Sequence, residues 1–415
     1  MESKPDILII GGGVIGVCSA YYLASSGLQV ALIEKDEIAS GCSYGNGGLI
    51  VPSHAIPLAS PGALGQGLRW MLDSISPFYI KPRLDMDLIR WLVGFVFASR
   101  TQKMLQSMPV LRDLLFASRA LFDELAQTAG FDFGFRGNGS LLVCLSKEAL
   151  EHEKQETRLF ERFDIPFKVV DQDGAHDLEP ALLPQVMGGI FYPRDGCLDP
   201  ARFVTGMAEK VEDLGVQVWT KTEAMGFETS RGRITNVHTT RGDFHPKQVV
   251  LATGSWSPDV AHSLRLRLPI QAAKGYSVTL ENPAVAPKLP LLFSEARVVA
   301  TPLGDSLRIA GTLELAGMDF SFNSRRVDAI RRSSIAYLPG LDEAKVIEIW
   351  RGLRPCTPDG LPIISRSSDF SNIIVAAGHA MLGMSLGPVT GKLVAQLIVG
   401  DQTEVDLLPL KMERF

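Results

Sequence analysis

The feature that most constrains this chain is a glycine-rich turn near its start. Gly11-Gly12-Gly13-Val14-Ile15-Gly16 follows the short apolar run Asp6–Ile10 (DILII) and precedes a helical pattern from Val17 to Ser26, closed by Gly27. A second apolar run, Gln29–Ile33 (QVALI), ends at Glu34. This is a β-α-β opening, and each glycine of the Gly11-x-Gly13-x-x-Gly16 pattern has a physical task. The first permits the tight turn, the second lets backbone approach a pyrophosphate, and the third lets the helix pack on the strand. The helix N-terminus presents N–H groups and partial positive charge to phosphates. Glu34 suits ribose hydroxyls and would repel a 2′-phosphate, which argues against a 2′-phosphorylated dinucleotide. The spacing points to a dinucleotide but does not separate FAD from NAD.

A chain of 415 residues suits two or three folding units. Its net charge of -5 offers no general attraction for a phosphate backbone, so no nucleic-acid partner is expected. The five cysteines show no CxxC spacing and read as reduced thiols of a cytoplasmic protein. The seven histidines form no HxH or HExxH pattern, so no metal site is expected, and no GxSxG anchors hydrolase chemistry. No basic and apolar leader precedes the first strand. No apolar run approaches the roughly 18 residues of a membrane span. Segment 67–97 mixes aromatic and apolar residues with Arg and Lys. It reads either as a pair of core helices or as a contact with a membrane surface.

Beyond the opening, residues 66–127 carry helical periodicity, with Leu111, Leu114, Leu115, Leu121, Phe122 and Leu125 on one face. Strands are expected at 139–145 and 167–170, with a charged helix at 147–163 between them. Asp199-Pro200 marks a helix start, and Gly215 its end. Strands follow at 216–219, 233–240, 248–252, 270–280, 296–300 and 306–313. A Pro/Gly-rich turn is expected at 351–362, a last strand at 372–377 and a helix at 388–399.

Five segments, taken together and in order, resemble the D-amino-acid dehydrogenase branch of the D-amino-acid oxidase family. They are residues 1–16, SYGNGGLIVPSHAIPLASPG (43–62), KGYSV (274–278), GLRPCTPDGLPII (352–364) and AAGHAMLGMSLGPVTGKLV (376–394). Glycine oxidase, sarcosine oxidase and D-hydroxyproline dehydrogenase are relatives. The resemblance implies an α/β fold. A Rossmann-type FAD-binding domain would be assembled from 1–63, 197–263 and 346–415. An α+β substrate domain with a mixed sheet would comprise 64–196 and 264–345.

It also implies non-covalent FAD. The cofactor would be held by Gly11, Gly13, Val14, Ile15, Gly16, Glu34 and Lys35, and by Ser40, Ser43, Asn46, Gly47, Gly48 and Leu49. Ala224, Thr253, Gly254 and Trp256 would add further contacts, as would Gly378, His379, Met381, Leu382, Gly383, Met384 and Ser385. The implied reaction is hydride transfer from the Cα of a D-amino acid to flavin N5, giving an imine. D-proline and cis-4-hydroxy-D-proline are among the implied substrates, and quinone or another carrier is the implied electron acceptor. Arg354 and Tyr276 are the candidates for the substrate carboxylate, His54 and His379 for the amine or flavin, and Glu314 for an ammonium. The chain departs from glycine oxidase-like proteins at Leu303 and Met381, where they carry arginine. Three alternatives stand beside this reading: an O2-using glycine or sarcosine oxidase-like enzyme, a flavoprotein related to tRNA modification, and an NAD-dependent dehydrogenase without flavin. The expected location is the cytoplasm, or the inner face of the cytoplasmic membrane with contact through 67–97.

Overall fold

The computed structural model describes residues 2–62, 78–281, 283 and 286–415. Two large sheets organise these residues, beside a four-stranded sheet built on Ala224–Ser230, Arg233–Thr239, Gly242–Phe244 and Glu2–Ser3 and a two-stranded pairing of Leu49–Ile50 with Gly196–Cys197. The smaller of the two large sheets has six strands in the spatial order Gln217–Trp219, Val30–Ile33, Ile7–Ile10, Gln248–Leu251, Ile373–Ala377 and Ile363–Arg366. The first five run parallel and the last is antiparallel to its neighbour. Its two opening strands, ILII and VALI, are apolar throughout because both faces are covered. Helices Val14–Ser25 and Gly383–Val399 pack together closely, since Gly387 and Gly391 bring the second against Val14 and Cys18 of the first.

The larger sheet has nine strands among the described residues and is mixed, as expected. From one edge it runs Lys345–Cys356, Gln271–Glu281, Ser306–Leu315, Val298–Leu303, Leu291–Phe293, Ser140–Cys144, Gly188–Tyr192 and Lys168–Asp171. Phe78–Ile80 pairs in parallel with the end of Ser306–Leu315. Ser140–Cys144 is likewise parallel to Leu291–Phe293, and the remaining pairs are antiparallel.

The strand Lys345–Cys356 corrects the turn expected at 351–362. Residues 351–356 stay extended and pair in register with Gln271–Tyr276, and the turn begins only at Thr357. Pro355 is tolerated because this is an edge strand, where the missing N–H need not face a partner. By pairing, 346–356 therefore sits with the larger sheet, although the expected division placed it with the cofactor-binding segments.

Asp199 caps helix Pro200–Asp213 by accepting from the Ala201 and Arg202 N–H groups, and Gly215 follows with φ +87°. The periodic segment after residue 77 forms helices Met86–Ala98 and Thr101–Leu125. Residues 67–77 of the segment singled out above lie outside the described residues. Helix Met86–Ala98 buries Leu88, Trp91 and Phe95, and Trp91 Nε1 donates to Cys356 O at 2.8 Å. Met86, Ile89, Val93, Val96 and Phe97 face solvent. One side of this helix is thus core, and the other is an exposed apolar face.

A Cβ at position 391 would lie 2.5 Å from the backbone carbonyl of Cys18. Alanine gains about 1 kcal/mol over glycine in helix propensity, while overpacking costs about 1–3 kcal/mol. Gly391→Ala is therefore expected to lower the thermal unfolding midpoint despite its better propensity. A raised midpoint would refute the close crossing.

Candidate active site

The glycine turn has the geometry its spacing predicts. Gly11 sits at φ +116°, and a Cβ there would lie 2.5 Å from Ala252 O. A Cβ on Gly16 would lie 1.8 Å from Gly11 O, so strand and helix meet backbone to backbone. Gly13 is different: its missing Cβ would meet only Ser43 Oγ, at 3.3 Å, and the backbone there is open. Val14 N donates to Ser43 Oγ at 3.0 Å, so a residue far along the chain satisfies one of the helix's free N–H groups. The Glu34 carboxylate accepts from Gly12 N at 2.6 Å and Asp36 N at 3.1 Å, which fixes it beside the turn.

From this turn a cavity of about 790 Å³ runs between the two sheets. Gly11, Gly13, Val14, Ile15, Glu34, Lys35, Ser40, Ser43 and Asn46 line it, with Ala224, Thr253, Gly254 and Trp256. At its other end stand Arg354, His379, Gly383 and Met384. These residues fit an extended dinucleotide: an acid at one end, a glycine turn and helix N-terminus in the middle, and a second helix N-terminus at the far end. Gly16, Gly47, Gly48, Leu49, Gly378, Met381, Leu382 and Ser385 are not in the wall. Gly16 and Gly378 shape the backbone behind it, where a Cβ on Gly378 would lie 2.6 Å from Thr357 Cγ2. Ser385 Oγ donates to Leu49 O at 2.9 Å and ties the two loops together. Met381 faces solvent.

The loop around Asn46 is stitched to the larger sheet. Ser277 Oγ donates to Gly45 O, Thr301 Oγ1 to Gly47 O, and Arg308 Nη1 to Tyr44 O and Asn46 O. Sequence reasoning missed Cys42, Phe320, Arg351, Gly352 and Leu353, which also line the cavity. No local signal marked Phe320 or Arg351, because Arg351 arrives on a strand of the larger sheet and Phe320 on the loop that follows another of its strands.

Arg354 and His379 come together in the wall, but Tyr276 and His54 are not part of it. Arg354 Nη1 donates to Thr312 O at 2.7 Å, and among the described residues no carboxylate pairs with this guanidinium. Burial pulls its pKa below the ordinary arginine value. Thr312 holds its carbonyl there at φ +67°, a conformation that threonine adopts only under constraint.

His379 is buried, its Nε2 3.0 Å from Thr390 Oγ1, and burial lowers its pKa to about 3. His54 faces open space although it is set deep in the protein, and desolvation lowers its pKa to about 4. The residue before it is pinned: Ser53 N and Oγ both donate to the buried Asp195, at 3.0 and 2.7 Å. Tyr276 is buried on the far side, and its hydroxyl lies 3.5 Å from Glu314 Oε2. Glu314 is itself engaged, with Arg326 at 2.7 Å and Lys274 at 3.5 Å, and does not line the cavity.

Comparison with known proteins agrees with this geometry. Residues 6–397 match the model of a family described as FAD dependent oxidoreductase. The chain is 30% identical over 416 residues to D-amino acid dehydrogenase 1 of Mesorhizobium japonicum, covering 99% of each. It is 31% identical over 415 residues to a D-amino acid dehydrogenase of Cereibacter sphaeroides, covering 99% of this chain and 95% of that one. Among solved structures, glycine oxidase from Geobacillus kaustophilus superposes with a TM-score of 0.81 at 23% identity, covering 100% of this chain and 99% of that one. L-proline dehydrogenase from P. horikoshii gives 0.78 at 21%, covering 100% and 98%. These two structures show the shared fold.

The buried histidine gives a pH prediction. Burial lowers the pKa of folded His379 to about 3, well below the value near 6.5 of an unfolded histidine. Its contribution to stability is complete above about pH 6.5 and is lost as pH falls toward that lower value. His379→Asn should lose about 2 kcal/mol less than the parent between pH 7 and pH 5 in urea unfolding. An equal loss in both proteins would show that His379 is not held neutral.

Proposed function

We propose, from the premise that this chain belongs to the FAD dependent oxidoreductase family, that it is a D-amino acid dehydrogenase. Its substrates would include cyclic imino acids such as D-proline or cis-4-hydroxy-D-proline, and its electrons would pass to a quinone or similar acceptor. The observation that carries this reading is Arg354, a half-buried cation that no carboxylate pairs among the described residues, in the wall of the cofactor cavity. The full-length likeness to D-amino acid dehydrogenases supports it.

FAD, when bound, supplies the hydride acceptor for oxidation of the Cα–N bond. Arg354 has N–H donors left over after its bond to Thr312 O, and they suit a substrate carboxylate. The N-terminus of helix Gly383–Val399 meets the cavity at Gly383 and Met384. Its partial positive charge favours negative charge developing at that end. His379, in the same wall, is held neutral by burial and adds no cation of its own there.

The exposed apolar side of helix Met86–Ala98 gives this reading a place for a peripheral membrane contact, with Arg90 and Arg100 beside it. Among the described residues, no helix is long and apolar enough to cross a membrane.

Two outcomes test the proposal. Under anaerobic conditions, D-amino acids or D-imino acids should bleach the flavin absorbance and L-isomers should not. Arg354→Gln should keep its cofactor yet need about 10–100-fold more substrate for half-reduction, the worth of a charge-assisted hydrogen bond of about 1.5–3 kcal/mol. A yellow protein that no D-isomer bleaches would end the assignment, and rapid peroxide release in air would favour the oxidase. For the membrane contact, the protein should sediment with vesicles containing anionic phospholipid, and Val93→Asp should reduce the bound fraction. Equal sedimentation of both proteins would remove that helix from the account.

A further inference from the structure

A loop on the rim of the cofactor cavity is anchored by more buried charge than a surface loop requires. Residues 316–323 (AGMDFSFN) join strand Ser306–Leu315 to helix Ser324–Ser334. Lys274, only 2% exposed, donates to Ser321 O at 3.0 Å and lies 3.3 Å from the Asp319 carboxylate. Its other carboxylate neighbour is Glu314, at 3.5 Å. Burying charges in this way costs free energy and adds little to stability. What the network holds in place is a loop that turns Phe320 and Phe322 outward, 43% and 54% exposed. Core formation would favour the opposite.

The two rings do not stand alone. The Arg351 guanidinium lies over both, 4.9 Å from the centre of Phe320 and 5.4 Å from that of Phe322. Phe320 stacks at 6.1 Å on Trp256. Phe320, Trp256 and Arg351 all line the cofactor cavity, so this group leads from the cavity wall to solvent. Arg351 sits on the edge strand of the larger sheet, and Ile349, two residues before it, is 47% exposed. The segment that leads into the exposed apolar helix Met86–Ala98 is tied to the same loop and the strand before it, because Arg83 Nη1 donates to Leu315 O at 2.8 Å and Lys81 pairs with Asp319 at 3.3 Å.

We infer that Phe320, Phe322, Arg351 and Ile349 form the docking platform for the electron acceptor, and that this acceptor is a quinone. The inference rests on the proposed reading that electrons leave to a carrier other than oxygen. A quinone ring is flat and stacks on the phenylalanines, and its carbonyl oxygens accept from the guanidinium. Its apolar tail has Ile349 beside it and the exposed helix nearby. Two electrons and a proton pass from the reduced cofactor, a second proton comes from solvent, and the quinone departs as a quinol while FAD returns to its oxidised form.

The test avoids the amino-acid substrate. Holoenzyme is photoreduced under argon and mixed with a short-chain benzoquinone, and the return of flavin absorbance is followed. Phe322→Ala and Ile349→Ser, neither of which lines the cofactor cavity, should each raise the quinone concentration for half-maximal reoxidation at least fivefold. Calorimetric titration of the oxidised holoenzyme with the same quinone should show the same weakening. Cofactor content and reduction by the amino acid should stay unchanged. Equal quinone dependence in all three proteins overturns the platform, as does parent enzyme that the quinone cannot reoxidise. A shift confined to amino-acid half-saturation assigns the loop to substrate entry and overturns it too. Should no D-amino acid bleach the flavin, the proposed substrate fails while the light-driven quinone result stands on its own.

Discussion

The structure depends on the backbone contact between Gly11 and Gly16. With a Cβ at Gly16 only 1.8 Å from Gly11 O, no other residue allows helix Val14–Ser25 to sit this close to strand Ile7–Ile10. That contact aims the helix N-terminus into the cavity and leaves the Gly13 backbone open to it. The same helix is the surface on which Gly387 and Gly391 seat helix Gly383–Val399. Two helix N-termini therefore face one cavity, one near its middle and one at its far end, and both are placed by glycines that permit backbone-to-backbone packing. Partial positive charge at both points suits a ligand that carries phosphates at one and gathers negative charge at the other.

The cavity would still be open on one side without the larger sheet. The loop of residues 43–48 closes it, and that loop is held mainly from across the gap by Ser277, Thr301 and Arg308. Edge strand Lys345–Cys356 contributes from the same direction, bringing Gly352, Leu353 and Arg354 to the wall. The absent side chain of Gly275 makes room for the Arg354 guanidinium, since a Cβ there would fall 1.9 Å from Nη1. A half-buried arginine that no acid pairs among the described residues is costly unless something supplies negative charge in the working state. This makes its position a statement about the ligand as well as about packing.

What could be read from the sequence follows the range over which each signal acts. The glycine turn, Glu34, and the Asp199-Pro200 helix start are local, and the structure has each where the pattern put it. Lys345–Cys356 was hidden because its Pro and Gly residues suggest a turn when the partner strand is unknown. An edge position removes the objection to Pro355, and topology alone reveals an edge. Tyr276 illustrates the period-two ambiguity of strands. It lies one residue from Gly275 and Ser277, which face the cavity side, and the alternation turns it to the buried side toward Glu314. Phe320 and Arg351 carried no local mark at all. They meet Trp256 only after the two sheets are assembled.

Charge placement separates the two ends of the site's task. In the wall beside Arg354, His379 is held neutral by burial, and among the described residues no carboxylate reaches the guanidinium. Around Lys274 the arrangement is reversed: Lys274 meets both Glu314 and Asp319, and Glu314 also meets Arg326, so each cation of the cluster has an acid. An unmatched charge selects a ligand of opposite sign, whereas a matched cluster has little left for a ligand and fixes geometry instead. On this argument Arg354 faces an anionic substrate. The Lys274 cluster works on its own chain, holding in position the loop that carries Phe320 from the cofactor wall to the surface.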